Sequence, residues 1–364
     1  MDILYGIFIS ILYLHLVNQY KTGKDLEVYE FEYTDAKTLH ESCDILQPLI
    51  FQWCTTYSPL KTMQDSKIRL QVKDAHDFYK KETSDSFSMT SSNVFRLFRN
   101  SETNPSTSHY LSENNGLFLE DSGILRKPCY VEMDRIFKPF SCFQSKYDVL
   151  TGMKNITTPL RYHTFTRKYL YVTNGRIRVK MTPWKYTKYL KPIHQYYPTI
   201  DFRSSIDIWE KEPNLDDCVQ FLEFDILKGH VFYIPKHWWY SISYNEIDTV
   251  ILDFAYRSTI NQFAYIFDEF KYFVFYQHHA FNGDTRKERN LTRFKNNDII
   301  PNADKLIDVC TDIDVCTNTD VCTDTDVDVR IDDIDVCTDV DVRTDVLTAS
   351  MPIKQEFSLD NVNE

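Results

Sequence analysis

The stretch Phe221 to Tyr244, FLEFDILKGHVFYIPKHWWYSISY, limits what this chain can fold into more than any other. Apolar and polar residues alternate through Phe224, Ile226 and Leu227. Lys228-Gly229 then breaks the run, and Val231 to Ile234 resumes it before Pro235. That pattern predicts strand, turn, strand, then a second turn and another strand. Trp238 and Trp239 follow at once. Their rings need a deep, mostly apolar recess, and Gly229 and Pro235 fix where the chain turns to deliver them there.

A second stretch, Thr157 to Pro183, TTPLRYHTFTRKYLYVTNGRIRVKMTP, predicts a hairpin able to pair with the first. Asn174-Gly175 suits a tight type I′ turn, in which both central residues take positive φ. Beyond it, Ile177 and Val179 alternate with Arg176, Arg178 and Lys180. The order T-P-L-x-Y-x, then N-G-R-x-R-V and T-P, then K-G-x-V-F-Y-I-P-x-x-W-W, resembles the JmjC and cupin-like oxygenase family. The resemblance runs from about Glu27 to about Ser258, with I-P-x-x-W-W its most specific part. It implies a mainly β (α+β) fold, a double-stranded β-helix (jelly-roll or cupin barrel) with flanking helices, which in that family holds Fe(II) and 2-oxoglutarate. Antiparallel strands with Gly and Pro turns and no βαβ alternation agree with it.

In the family, a His-x-Asp after T-P-L and a second His directly after the two tryptophans hold the metal. By resemblance those positions fall on Arg161, His163 and Tyr240. The ligand chemistry is lost at two of the three, since a guanidinium is always charged and has no lone pair to donate. Only His163 is an ordinary ligand type. No cofactor is therefore expected, and none of the three is read as a metal ligand. Arg161, His163, Arg167 and Tyr240 are expected to line the mouth of the old metal site, where Arg161 or Arg167 meets an anion or a carboxylate standing in for iron. Arg178, Trp238 and Trp239 complete the candidate ligand-binding set.

The net charge of −12 is local. From Asp308 to Val346 there are 13 Asp against Arg330 and Arg343, so nearly all the excess lies there and the rest of the chain is close to neutral. No basic field argues for nucleic acid. The short Lys- and Tyr-rich run Lys185 to Tyr197 reads as a solvated loop with tyrosines packed beneath it. With 43% apolar and 15% aromatic residues the chain has ample material for a core. Cys310, Cys316, Cys322 and Cys337 belong to the tail repeat, and the other five cysteines show no C-x-x-C spacing, so neither a zinc site nor a disulfide framework is indicated.

Three segments are expected: 1–20, an apolar N-terminal segment and candidate membrane anchor; 26–281, the JmjC/cupin-like domain with a C-terminal helix; and 282–364, a charged linker and disordered acidic repeat tail. Ile3 to Val17 is an uncharged apolar run, shorter than the roughly 20 residues of a spanning helix. A signal peptide is the rival, without a basic n-region. Lys21 and Lys24 after the run would leave the bulk of the chain cytosolic, so the localisation is single-pass membrane or cytoplasmic. Leu26 to Tyr33 predicts a strand, and Thr34 caps a helix from Asp35 to Leu46. The polar zone Thr83 to Asn115 reads as a surface insertion, and Leu117 to Val131 as strands or a short helix. Asn261 to Phe281 predicts one helix whose Phe-rich stripe is core or a homodimer contact. Aspartate-rich D-V-C-T-D repeats from Asp308 have too few large apolar residues to offset the entropy of ordering.

Three functions are open on this sequence. One is a binding or scaffold module that lacks a complete iron site. Another is an active Fe(II)/2-oxoglutarate hydroxylase or demethylase with a rearranged site recruiting His163, His237 and Asp225 or Asp253. The last is a membrane-tethered structural or host-interaction protein. The ligand or protein partner is not named by any residue.

Overall fold

In the computed structural model, which describes residues 2–20, 23–53, 57–75, 86–103, 109–196, 199–210 and 218–281, the two stretches singled out above pair with each other strand by strand. The linker and acidic repeat lie outside the described residues. The elements begin with α1 (Asp2–Tyr20), β1 (Tyr29–Glu30), α2 (Ala36–Asp44), β2 (Leu49–Gln52), α3 (Leu60–Gln64), β3 (Arg69–Asp74), β4 (Ser86–Thr90) and α4 (Ser91–Thr103). Then come β5 (Tyr110–Ser112), α5 (Gly116–Ser122), α6 (Pro128–Phe137), β6 (Cys142–Gly152), β7 (Arg161–Tyr162), β8 (Arg167–Asn174), β9 (Ile177–Thr182), β10 (Pro192–Gln195) and β11 (Asp201–Ser204). The last are β12 (Leu222–Ile226), β13 (His230–Ile234), β14 (Trp239–Tyr244), β15 (Val250–Ser258), α7 (Thr259–Ala264) and α8 (Ile266–Phe281).

The strands form a nine-stranded sheet, β1-β2-β13-β8-β15-β6-β5-β3-β4, and a six-stranded sheet, β10-β11-β7-β14-β9-β12. Every pairing is antiparallel except β1 with β2. The fold is mainly β with flanking helices, as expected, and neither sheet closes on itself.

Strand β8 is buried along almost its whole length because it is covered on both sides. Tyr169 stacks on Phe137 of α6 at 4.3 Å between ring centroids and lies 3.4 Å from the Cys43 thiol of α2, while Tyr171 meets Tyr130 edge-on. Lys168, one position out of phase, points the other way, toward the space between the sheets. In β15 the same split puts Phe254 against Phe137 and Tyr256 on Asp134, with Asp253 and Ala255 facing the second sheet. The large core therefore runs through the nine-stranded sheet, and a smaller apolar cluster around Leu160, Phe202 and Trp239 covers the outer side of the six-stranded one.

Several expectations are corrected. Asn174-Gly175 does not close a hairpin: β8 and β9 belong to different sheets, and of that pair Gly175 alone has positive φ, at +79°. A type I′ turn would keep the two strands as neighbours, whereas here the chain leaves one sheet for the other. Helix α2 is capped by Asp35 rather than Thr34, with the carboxylate accepting from the Thr38 N–H at 2.8 Å and hydroxyl at 2.9 Å. Leu26–Tyr33 contributes only the short β1, while for residues 117–131 the helical alternative holds, as α5, a 3-10 turn and the start of α6. Within the Thr83–Asn115 zone, β4 joins the large sheet and α4 buries Val94, Phe95 and Phe98, so its described part is structural rather than a surface insertion. The helix expected over Asn261–Phe281 is two, broken at Tyr265, and its Phe stripe is exposed rather than core.

The N-terminal run forms α1 and packs against α7. Among the described residues no helix is long and apolar enough to cross a membrane, so the single-pass anchor is not supported.

Candidate functional site between the sheets

A polar cavity of about 120 Å³ opens between the two sheets. The six-stranded sheet contributes Arg161, Asp201 and Tyr240. The nine-stranded sheet contributes Lys73, Asp148, Lys168 and Asp253, and Glu113 comes from the residue after β5. Four lysines and arginines, counting Lys146 at the rim, face four carboxylates.

The three positions that the resemblance points to meet here. Tyr240 is the cross-strand partner of Arg161, so the two share one wall of the cavity. His163 lies two residues beyond Arg161, lines the same cavity, and has its ring 6.3 Å from that of Tyr240. Between them, Tyr162 turns to the opposite face of the sheet and stacks on Phe202 at 4.9 Å.

Ion pairs fill the site. Glu113 accepts Arg161 at 2.8 Å and lies 3.5 Å from Lys73. Burial pushes the Glu113 carboxyl up, but the guanidinium and ammonium beside it outweigh this and hold it at about 2. Arg161 is raised in turn: burial disfavours its charge, and the Glu113 carboxylate more than restores it. Lys168 pairs with Asp253 across β8 and β15. Asp148, opposite Asp253 in the register, is pushed up to about 6 by burial and then by the Asp253 charge, against the pull of the Asn115 and Asn114 backbone N–H groups it accepts. Those two bonds hold the turn that carries Glu113, so the carboxylate on β6 positions the carboxylate that neutralises Arg161.

His163 is kept neutral. Burial, then the nearby Lys168 charge, depress it well below the usual imidazole range. Its Nε2 lies 3.1 Å from the Ile234 carbonyl, which only accepts, so Nε2 carries the proton and Nδ1 is left as a buried lone pair with no partner. Burial likewise raises the Tyr240 phenol, which stays protonated.

Iron does not fit this set. Arg161 has no lone pair and already serves Glu113, and Tyr240 is a protonated phenol, which leaves His163 Nδ1 as the one ordinary ligand atom among the three positions. The rearranged set fares no better. His237 donates its N–H to the His163 carbonyl at 3.0 Å, yet its ring lies outside the cavity, 4.9 Å from Trp184 and hydrogen-bonded to the Tyr265 hydroxyl. Asp225 is on the outer edge of β12, bonded to Arg178 at 2.8 Å, and Asp253 is engaged by Lys168. Among the described residues no three His, Cys, Asp or Glu side chains converge to hold a metal.

Four expected pocket residues are elsewhere. Arg167 faces the helices, paired with Asp44 and lying over the Tyr233 ring, because the phase of β8 turns Lys168 inward in its place. Arg178 sits on the outer face of the six-stranded sheet between Glu223 and Asp225. Trp238 is fully buried in the main core, and Trp239 lies in the outer cluster, its indole N–H bonded to Thr187 Oγ1 at 2.8 Å. Sequence reasoning missed Glu113, Lys168 and Asp148. Lys168 was open to strand parity, but no local pattern marks Glu113.

No family model matches the chain, and no curated protein matches it.

Proposed function

We propose that the chain is a double-stranded β-helix protein of the JmjC and cupin-like kind whose metal positions have passed to an internal ion-pair network, and that it works as a binding or scaffold module without oxygenase chemistry. The reading rests on the Arg161–Glu113 pair. A guanidinium stands where the resemblance places the first imidazole, and the fold supplies a buried carboxylate for it. A carboxylate brought in from 48 residues upstream neutralises that charge, so an iron ion there would meet a cation in place of a ligand. Strand pairing supports the barrel part of the reading: β8 with β13 and β9 with β14 set two sheets around one cavity.

The test is an anaerobic Fe(II) titration together with conversion of 2-oxoglutarate to succinate. The natural protein should bind no stoichiometric iron and form no succinate above the blank. The variant combining Arg161→His, His163→Asp and Tyr240→His should gain iron affinity. One-to-one iron in the natural protein, tightened by 2-oxoglutarate, overturns the proposal.

A further inference from the structure

The largest exposed apolar surface of the described chain is remote from the cavity, on α1 and the helices that follow β15. The exposed apolar residues of α1, followed around the helix from Phe8 through Leu12, Ile9 and Val17 to Ile7, sweep an arc of about 260° at 3.6 residues per turn. Ile11, in the remaining gap, is only half-exposed, and α1 rests on α7. Helix α8, which packs on α7 in its turn, exposes Phe270, Phe273 and Val274 to 64%, 57% and 46%. Apolar surface of this extent is not left to water in a free protein.

The charges of α8 are turned away from it. Asp268 accepts the Tyr196 hydroxyl at 3.1 Å and lies 3.6 Å from Lys271, and Glu269 pairs with Arg257. Near the other end of the surface, exposed Lys24 is followed by exposed Asp25 and Glu27, so among the described residues no basic cluster adjoins α1 to read anionic headgroups. A protein partner covers one side of a helix, whereas hydrocarbon wets a wide arc with no matching shape. We propose that α1, α7 and α8 form a monotopic membrane-docking face, lying in the plane of a bilayer and driven by apolar insertion, with α1 clamped to the domain by α7 and not spanning.

The full chain is tested by flotation with phosphatidylcholine vesicles at low and high salt. It should float equally at both, because apolar insertion is unscreened. The double variant Leu12→Glu with Phe273→Glu, both exposed positions, should retain its circular dichroism and melting temperature yet partition at least about tenfold less. Flotation retained by that variant, or abolished by salt, overturns the proposal. So does a natural chain that stays in the aqueous fraction, and if sedimentation equilibrium then finds a dimer that the double variant abolishes, the face belongs to a second copy.

Discussion

Asp148 and Asp253 stand directly opposite each other on neighbouring antiparallel strands, both buried, with the Lys168 ammonium bonded to Asp253. Two like charges in that register repel, and one ammonium cannot neutralise both. The cavity therefore contains a carboxyl poised to take a proton in mildly acidic solution.

That carboxyl gives the first prediction. Asp148 has a folded-state value near 6, above the usual aspartate range, so the folded protein binds the proton more tightly than the unfolded chain. Its contribution to stability is full at pH 4 and is lost as the pH rises through 6. Relative to Asp148→Asn, the natural protein should gain on the order of 2 kcal/mol between pH 7 and pH 4. His163 acts in the opposite sense, because its folded value is depressed and its contribution fades below pH 6.5. Urea melts of both proteins across this range separate the two, and a pH-independent difference would refute the assignment to Asp148.

Removing one partner of the Arg161–Glu113 pair should be more damaging than removing both. Glu113→Leu takes away the carboxylate bonded to the buried Arg161 guanidinium, leaving Asp201 as the nearby anion, and should destabilise by about 3–5 kcal/mol. Adding Arg161→Met removes the orphaned charge and should recover most of that loss. Equal destabilisation by the single and the double variant, measured by denaturant midpoint, would mean the pair is not coupled.

Gly175→Ala should cost about 2–4 kcal/mol. Its φ of +79° disfavours any side chain, and an added Cβ would fall 2.3 Å from Thr249 Oγ1 and 2.9 Å from Thr249 Cα. Shortening its neighbour with Thr249→Ala should rescue only part of the loss, since the Thr249 backbone remains in the way. Full rescue would place the whole effect on the hydroxyl.

Much of this arrangement was legible from the residues. Alternation across Ile177, Val179 and Met181 marks the buried face of β9, and Gly229 and Pro235 mark the ends of β13 where they occur. It is the resemblance that points to Arg161, His163 and Tyr240 as one cluster, and strand parity adds that Arg161 and His163 share a face. Parity failed at Arg167. Counting by twos from Arg161 points it inward, but residues 163–166 carry the chain from one sheet to the other, and the phase is not conserved across that passage. Glu113 could not be found this way at all. It acts across 48 residues, from a polar segment with no repeat or spacing, and only the packing of β5 beside β6 brings it in.

The position of β15 has a consequence for the order of events during synthesis. It is the last of the described strands to be made, yet it lies between β8 and β6 in the middle of the larger sheet. At about 5–20 residues per second, the edges of both neighbours wait several seconds for it. A nascent chain that has not yet reached Val250 presents two open ladders with nothing to complete them. The domain is thus committed to assembling late and at once, and a polypeptide truncated just before Val250 would be a template for aggregation and not a shorter fold.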